Sequence, residues 1–318
     1  MKTCAIIVTF NRKTMLQRCI KAVLCQTHTV DSLFIVDNAS TDNTFEHLID
    51  NNLISQTELL QDELLDVSKG QQQIFYYRSS TNIGGAGGFY TGLKLAHEKN
   101  LFNAFWLMDD DGYPSESCLE QQLKYLEQFH YVMPTSIDIE NGKQLSWATK
   151  MPNKQKTILY EEYTKVWGSI MPFVFPFNGC LFSEKLVSNV GYINPQLFIW
   201  GDDYEHYFRC LKKGFKPITL THAKFYHPAN KAQTHPIMNG IFKIPYVESE
   251  LRFLCLIRNW AYINKKNHRY FHLMQSFVAY TWLFLITKQW DLKSYKFYLS
   301  ALADGLIGNF TRHVQYIK

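Results

Sequence analysis

Short apolar runs alternate along the chain with stretches of helical spacing. Residues 4–10, Cys-Ala-Ile-Ile-Val-Thr-Phe, are apolar and rich in β-branched residues. Lys2 precedes the run, but the polar residues Asn11-Arg12-Lys13 close it too early for the core of a signal peptide, so it reads as a buried first strand. Residues 14–25 then place Met15, Leu16, Ile20, Val23 and Leu24 at helical intervals. A second apolar run, Leu33 to Val36, ends in Asp37-Asn38, and Ser40 or Asp42 can cap a helix that reaches His47 and Leu48. Ile74–Tyr77 is a third strand, and Gly84–Gly88 opens a helix to about Lys99. Ala104 to Met108 is a fourth strand and runs into Asp109-Asp110-Asp111. Runs that are apolar on both faces, alternating with helices, predict an α/β fold: a mostly parallel sheet covered by helices.

Beyond residue 115 a helix reaches about Phe129, and strand-like pieces follow near 131–137, 144–149, 173–182 and 215–225. Residues 50–73 are polar and Gln-rich and read as a surface insertion. From about 246 the character changes. Residues 251–318 hold fifteen aromatic residues and ten Lys/Arg against two Asp/Glu, whereas the first 250 residues carry a net −3. The basic balance belongs to this tail alone and argues against a nucleic-acid partner. Its most apolar stretch, Phe271–Thr287, is 17 residues long and contains His272 and Gln275. A bilayer span needs ~20 residues. Amphipathic helices packed on the main domain or lying on an anionic membrane surface fit better, and an ordinary aromatic-rich helical subdomain competes with them. The expected division is residues 1–245 and 246–318.

A length of 318 residues, 46% hydrophobic and 19% charged, excludes disorder, a coiled coil and a small disulfide scaffold. Seven scattered Cys with no CxxC pair suit reduced thiols in the cytosol, not a disulfide framework or a zinc site.

Four features carry chemistry. Asp109-Asp110-Asp111 end a buried strand, where unpaired carboxylates are costly. A divalent cation neutralises them, and oxygen ligands suit Mg²⁺ or Mn²⁺. Strand alternation places Asp109 and Asp111 on one side and Asp110 on the other, and ligands bind at the carboxyl ends of such strands. His227 would return toward this site as a further ligand. Asp37, also at a strand end, can accept from a uracil imide or ribose hydroxyls, or can simply form an Asx turn. The turn from Asn82 to Gly88 can aim backbone amides at a diphosphate; the G-x-G-x-x-G form of a dinucleotide fingerprint is absent. Finally, Trp200-Gly201-Asp202-Asp203-Tyr204-Glu205 opens a helix, where carboxylates are held ionised and one can serve as a general base. Plain helix capping is the competing reading.

In this order, these segments and Phe177-Asn178-Gly179 resemble the family-2 glycosyltransferases of the GT-A fold over residues 4–230. Within that family the triple Asp, the Trp-x-Asp-Asp-x-Glu-like segment, His227 and Arg258-Asn259-Trp260-x-Tyr262 resemble the bacterial galactofuranosyltransferases and their rhamnosyltransferase-like relatives. The resemblance implies a GT-A domain with a C-terminal helical region. It implies that Thr9, Arg12, Asp37, Asn38, Asn82, Gly84, Gly85 and Asp110 meet the nucleotide and donor sugar. Asp109, Asp111 and His227 would hold Mn²⁺ or Mg²⁺, and Asn178, Trp200 and Glu205 would shape the sugar or acceptor site. Asp203 would be the base, with Asp202 its competitor because Gly201 separates Trp200 from the pair.

The implied reaction is an inverting transfer, most simply of galactofuranose from UDP-galactofuranose, to a lipid-linked glycan of capsule, lipopolysaccharide or another surface polysaccharide. The protein would be peripheral at the cytoplasmic face of the cell membrane, where basic residues gain ~1 kcal/mol each near anionic headgroups. The oligomeric state is left open. A dTDP-rhamnose or other UDP-hexose transferase of the same fold is the nearest rival. A nucleotidyltransferase would show a Gly-rich loop after the first strand, where Thr-Phe-Asn-Arg stands. A non-catalytic glycan-binding relative would have lost the acidic clusters.

Overall fold

The computed structural model describes residues 1–70, 72–153, 155–174, 177–229 and 233–317. The chain divides into two compact units, Met1–Pro195 with His206–Asn230, and Gln196–Glu205 with Lys231–Lys318.

The first unit begins as the apolar pattern predicts: β1 (Thr3–Thr9), α1 (Lys13–Leu24), β2 (Ser32–Asp37), α2 (Thr44–Asp50), β3 (Leu64–Asp66), β4 (Gln73–Arg78), α3 (Gly84–Glu98) and β5 (Ala104–Asp109). Every residue of β1 and β2 is buried, as expected of strands with helices on both faces. Strands β4, β2, β1 and β5 are parallel neighbours. Their registers align Arg78 with Asp37, Asp37 with Thr9, and Val8 with Asp109. The candidate residues Thr9, Asp37 and Asp109 are therefore gathered on one edge by pairing alone.

The chain continues through β6 (Tyr113–Pro114), α4 (Cys118–Phe129), β7 (Tyr131–Asp138), β8 (Gln144–Lys150), β9 (Lys156–Leu159), α5 (Tyr160–Trp167), β10 (Ile170–Met171), β11 (Cys180–Ser183) and α6 (Glu184–Val190). Then come α7 (Asp202–Lys212), which straddles the two units, and β12 (Ile218–His227). The sheet order is β10-β12-β7-β11-β5-β1-β2-β4-β3. Antiparallel β11 joins the parallel half to a second parallel pair, β7 and β12. Pro134 of β7 has no N–H to give, and the register of β12 shifts between Leu220 and Lys224 opposite it.

Three expectations change. The 50–73 segment is not all surface: β3 pairs antiparallel with β4, and Ile54 and Val67 enter the core. Of the strand expected over 173–182, Cys180 to Phe182 is extended in β11, and Phe175 and Pro176 lie outside the described residues. Neither Ser40 nor Asp42 is the N-cap of α2; that position is Asn43, in a left-handed conformation. Ser40 accepts instead from the Asn11 amide, and Asp42 from the Thr44 hydroxyl.

The second unit holds the hairpin β13 (Thr234–Ile237) and β14 (Phe242–Pro245), with α8 (Glu250–Lys266), α9 (Tyr270–Trp282) and α10 (Leu292–Ile307). The aromatic density of the tail builds this unit's own core, in which Phe253, Tyr280, Phe284 and Tyr298 are buried together. Gly305 lets α10 close on α8, since a Cβ there would lie 2.2 Å from the Arg258 carbonyl oxygen. Among the described residues no helix is long and apolar enough to cross a membrane.

Candidate active site

At the carboxyl edge of the first unit, Asp110 is buried. Its carboxylate accepts from the Thr9 hydroxyl at 2.6 Å and from Arg12 at 3.1 Å. The same Arg12 nitrogen reaches Asp111 at 2.8 Å. The alternation expected from a continuing strand therefore fails: β5 stops at Asp109, the chain turns, and Asp110 and Asp111 converge on one guanidinium. Burial raises the Asp110 carboxyl to about 6, against the opposing pull of Arg12 and Thr9. Thr9 itself is buried and serves Asp110, whereas the Arg12 side chain is about half exposed, at 47%.

His227 ends β12. Its Nε2 lies 3.1 Å from Asp111 Oδ1, and its Nδ1 faces the Pro228 carbonyl at 2.7 Å. With Nδ1 on a backbone carbonyl, Nε2 is the ring nitrogen turned to Asp111, where it can meet the carboxylate or a metal ion. Burial opposes ionisation of Asp111, but its contacts with His227 and Arg12 bring its carboxyl below the ordinary value. The carboxylate–imidazole pair fits one side of a Mn²⁺ or Mg²⁺ site by donor chemistry. The full expected set of Asp109, Asp111 and His227 is not assembled: among the described residues no group of three such side chains is placed to hold a metal. Arg12 instead supplies positive charge to this acidic turn.

Sequence reasoning passed over two residues that build this pair. Gly112 has no room for a side chain, since a Cβ would lie 2.3 Å from the Phe225 ring and 2.7 Å from the Tyr226 carbonyl oxygen. It lets the acidic turn press against β12. The Trp147 ring packs on the His227 ring at 4.5 Å. The run Asp-Asp-Asp-Gly carried a signal for the first; nothing local marks the second.

Asp37 is fully buried, and both its oxygens are engaged internally, one by the Ser40 amide at 2.8 Å and one by the Tyr76 hydroxyl at 2.6 Å. Asn38 donates to Asn82 at 3.0 Å and accepts from the Ile83 amide at 2.8 Å, and Asn82 accepts from the Gly84 amide at 2.9 Å. This network sets the entry to α3, where Gly84 takes a φ of +73°. The glycines divide by role. A Cβ on Gly88 would meet Val8 at 2.5 Å, and one on Gly92 would meet Ile6 at 2.5 Å, so these two let α3 pack onto the sheet. Gly85 faces open space. Asn178 is buried, and its carboxamide oxygen has no hydrogen-bond partner among the described residues.

The acidic loop belongs to the second unit. Phe198, Trp200 and Gly201 all take positive φ, 64°, 64° and 86°. Asn259 of α8 holds them: its amide nitrogen lies 2.8, 2.9 and 2.7 Å from the carbonyl oxygens of Leu197, Ile199 and Trp200. Arg258 donates to Asn259 and to the Leu197 carbonyl, and the Trp260 ring packs on Tyr204 at 5.0 Å. The Arg-Asn-Trp segment is thus the clamp of the loop that presents Asp202 and Asp203. Burial raises Asp202 to about 7, with its neighbour's charge adding to the rise, and burial raises Asp203 to about 6. Asp202 is buried and Asp203 half-buried, accepting from the Tyr204 amide at 2.8 Å. Glu205 is buried against Lys266 at 3.0 Å, which directs it inward to α8. Trp200 is exposed.

Comparisons with known proteins agree with this architecture. Residues 4–189 match the sequence profile of Glycosyl transferase family 2. The chain is 26% identical over 293 residues to Galactofuranosyltransferase GlfT1 of Mycolicibacterium smegmatis, covering 90% of both chains. To the protein of the same name from Mycobacterium tuberculosis it is 26% identical over 290 residues, covering 90% and 89%. Among solved structures, S. aureus TarS 1–349 in complex with UDP superposes with a TM-score of 0.52 at 14% identity, over 83% of this chain and 65% of that one. GalNAc-T7 with UDP, GalNAc and Mn²⁺ gives 0.56 at 11% identity, over 83% and 48%. The fold is that of the GT-A glycosyltransferases, and the chain belongs to glycosyl transferase family 2.

Proposed function

We propose that this glycosyltransferase is a divalent-cation-dependent, inverting enzyme that transfers galactofuranose from UDP-galactofuranose. The acceptor is a lipid-linked glycan of a cell-surface polysaccharide such as capsule or lipopolysaccharide, met at the cytoplasmic membrane face. The observation that carries the donor reading is the acidic turn, where Asp111 meets His227 and Arg12 at the carboxyl ends of the strands. The choice of sugar is supported by 26% identity across nine-tenths of two galactofuranosyltransferases.

Asp111 and His227 would hold Mn²⁺ or Mg²⁺ from one side. Bound there, the cation would neutralise charge on the departing diphosphate, so that no proton donor is required. Arg12 adds a fixed positive charge to the same edge. Gly84 and Gly85 open α3, whose first amides suit a diphosphate. Asp37 supports the nucleotide pocket from beneath, by fixing the Ser40 turn. Asp203 removes the acceptor hydroxyl proton as that oxygen attacks the anomeric carbon. The carbon–oxygen bond to the diphosphate breaks, and the diphosphate leaves with the electron pair. Asp203 is favoured over Asp202 because it is the less buried of the two, so an acceptor hydroxyl can reach its carboxylate. General-base catalysis of this kind contributes ~10²–10⁴-fold.

The test is a panel of nucleotide sugars with and without Mn²⁺, read first as donor hydrolysis and then as transfer. UDP-galactofuranose should be consumed fastest and EDTA should stop turnover. Preference for dTDP-rhamnose, or full activity in EDTA, would overturn the respective assignment.

A further inference from the structure

The second unit contains a cavity of about 690 Å³ between the hairpin β13–β14 and helices α8 and α9. Its size falls in the range, ~300–1,000 Å³, that buries a small organic ligand. The walls are mainly aliphatic: Ile244, Leu256, Ile257 and Leu273 all face it. Lys243, Arg269 and His272 also line it, and no Asp or Glu does so among the described residues. Arg269 lies 2.9 Å from the His272 ring.

Asn264 lines the same cavity. Only 7% of it is exposed, and its carboxamide oxygen has no hydrogen-bond partner among the described residues. A buried amide left in that state is destabilising until a donor meets it. The Asn264 main-chain carbonyl accepts from the Arg269 main-chain amide at 2.8 Å, so both residues stand at the turn between α8 and α9, and both line the cavity. An aliphatic cavity lined also by cations and by an unsatisfied acceptor matches one hydrocarbon chain bearing a protonatable anionic head. A bilayer headgroup surface would need no cavity of this volume.

The cavity and the acidic loop also share a wall. Trp260 lines the cavity and packs its ring on Tyr204, the residue after Asp203, and Asn259 beside it clamps the loop. Phe242 and Met274, both lining residues, are more than half exposed, at 56% and 57%. They give the lumen an apolar approach.

We infer that this cavity binds the hydrocarbon chain of a single-chain lipid phosphate, with the phosphate on Arg269 and Lys243 and a phosphate or sugar hydroxyl on Asn264. This is the acceptor's lipid carrier, seated on the unit that carries the general base. The inference rests on the lipid-linked acceptor of the proposed function.

The experiment titrates full-length protein with farnesyl phosphate below its micelle concentration, by calorimetry, beside farnesol, inorganic phosphate and phosphatidylglycerol vesicles. Saturable one-to-one binding of farnesyl phosphate is expected. Farnesol should bind at least tenfold more weakly, and inorganic phosphate should not compete at millimolar concentration. Arg269→Gln should weaken farnesyl phosphate at least tenfold without changing the melting temperature, and Ala279→Trp, which fills the lumen, should abolish binding. Absence of saturable binding, equal affinity in Arg269→Gln, or binding only to vesicles overturns the assignment. Hydrolysis of UDP-sugar by the wild-type protein needs no acceptor and tests the transferase reading separately. Hydrolysis without farnesyl phosphate binding sinks the cavity assignment alone; binding without any donor turnover sinks the donor reading and leaves the cavity.

Discussion

Replacing Asn259 with Ala isolates the clamp on the acidic loop. Asn259 is 1% exposed, and its amide nitrogen is within 2.9 Å of three carbonyl oxygens. An NH₂ group has two protons, so it satisfies two of these fully at any moment. Each buried hydrogen bond is worth ~0.5–1.5 kcal/mol net, so truncation removes ~1–3 kcal/mol of restraint. The loop needs that restraint. Phe198 and Trp200 hold left-handed φ values of 64°, each costing ~1–2 kcal/mol for a residue with a Cβ. Strained residues keep such conformations only while their surroundings force them to. The restraint lost is comparable with the ~2–4 kcal/mol of strain, so a large share of molecules should let the loop relax and carry Asp202 and Asp203 off station.

Since ~1.4 kcal/mol is tenfold in rate, kcat for transfer should fall ~10–100-fold. Equilibrium UDP binding should stay within about twofold, because every nucleotide-side residue lies in the first unit. Hydrogen exchange should quicken over amides 198–205. If kcat stays within twofold of wild type and exchange there is unchanged, the loop does not depend on Asn259 and the clamp reading is wrong.

The base assignment separates through paired variants: Asp203→Asn should lower kcat ~10²–10⁴-fold with donor affinity kept, whereas Asp202→Asn should act mainly on acceptor KM. In wild type the transfer rate should climb as pH rises through about 6 to 7, where the coupled pair loses its protons, and level off above that. Stability should move the opposite way. Carboxyls raised above their unfolded value of about 3.9 contribute stability that is full below that pH and lost as pH rises through about 7, so Asp202→Asn should flatten the fall seen in thermal melts. Gly88→Ala should cost ~1–3 kcal/mol in urea titrations through its clash with Val8, while Gly85→Ala should leave stability equal or slightly raised and weaken UDP binding if a diphosphate passes there. Asp111→Ala should abolish Mn²⁺-dependent turnover, and calorimetry should show the loss of Mn²⁺ binding directly.

Most of the first unit was legible because its strands announce themselves. Continuous apolar runs such as Leu33 to Val36 have no polar face to spare and must be buried on both sides, and the polar residue that ends each one marks the sheet edge. That logic located Asp37 and Asp109 together before any geometry was known. It failed one residue further on. Alternation is a property of extended backbone, and the chain turns after Asp109, so Asp110 and Asp111 share Arg12 and do not face apart. The mixed half of the sheet was less legible, since β10 and β11 are two and four residues long and leave no periodicity to read.

Residues whose role depends on a distant partner were the least readable. Five glycines near residue 85 look alike in sequence, yet Gly88 is small because Val8 lies against it, while Gly85 faces open space. Asp37 looks like a ligand for a ribose, yet Tyr76, 39 residues away, takes one of its oxygens. The same dependence explains the C-terminal segment Arg258-Asn259-Trp260. In sequence it suggested only a branch of the family. In the structure Asn259 gathers three carbonyls from residues about 60 positions earlier, and Trp260 touches the residue beside Asp203. The strained loop and its clamp therefore form one device: Phe198 and Trp200 hold a backbone that their own preference would not choose, and α8 supplies the donors that hold it. Two carboxylates kept buried and raised in pKa need such a frame, because a loop free to relax would carry them into water and return them to ordinary acids.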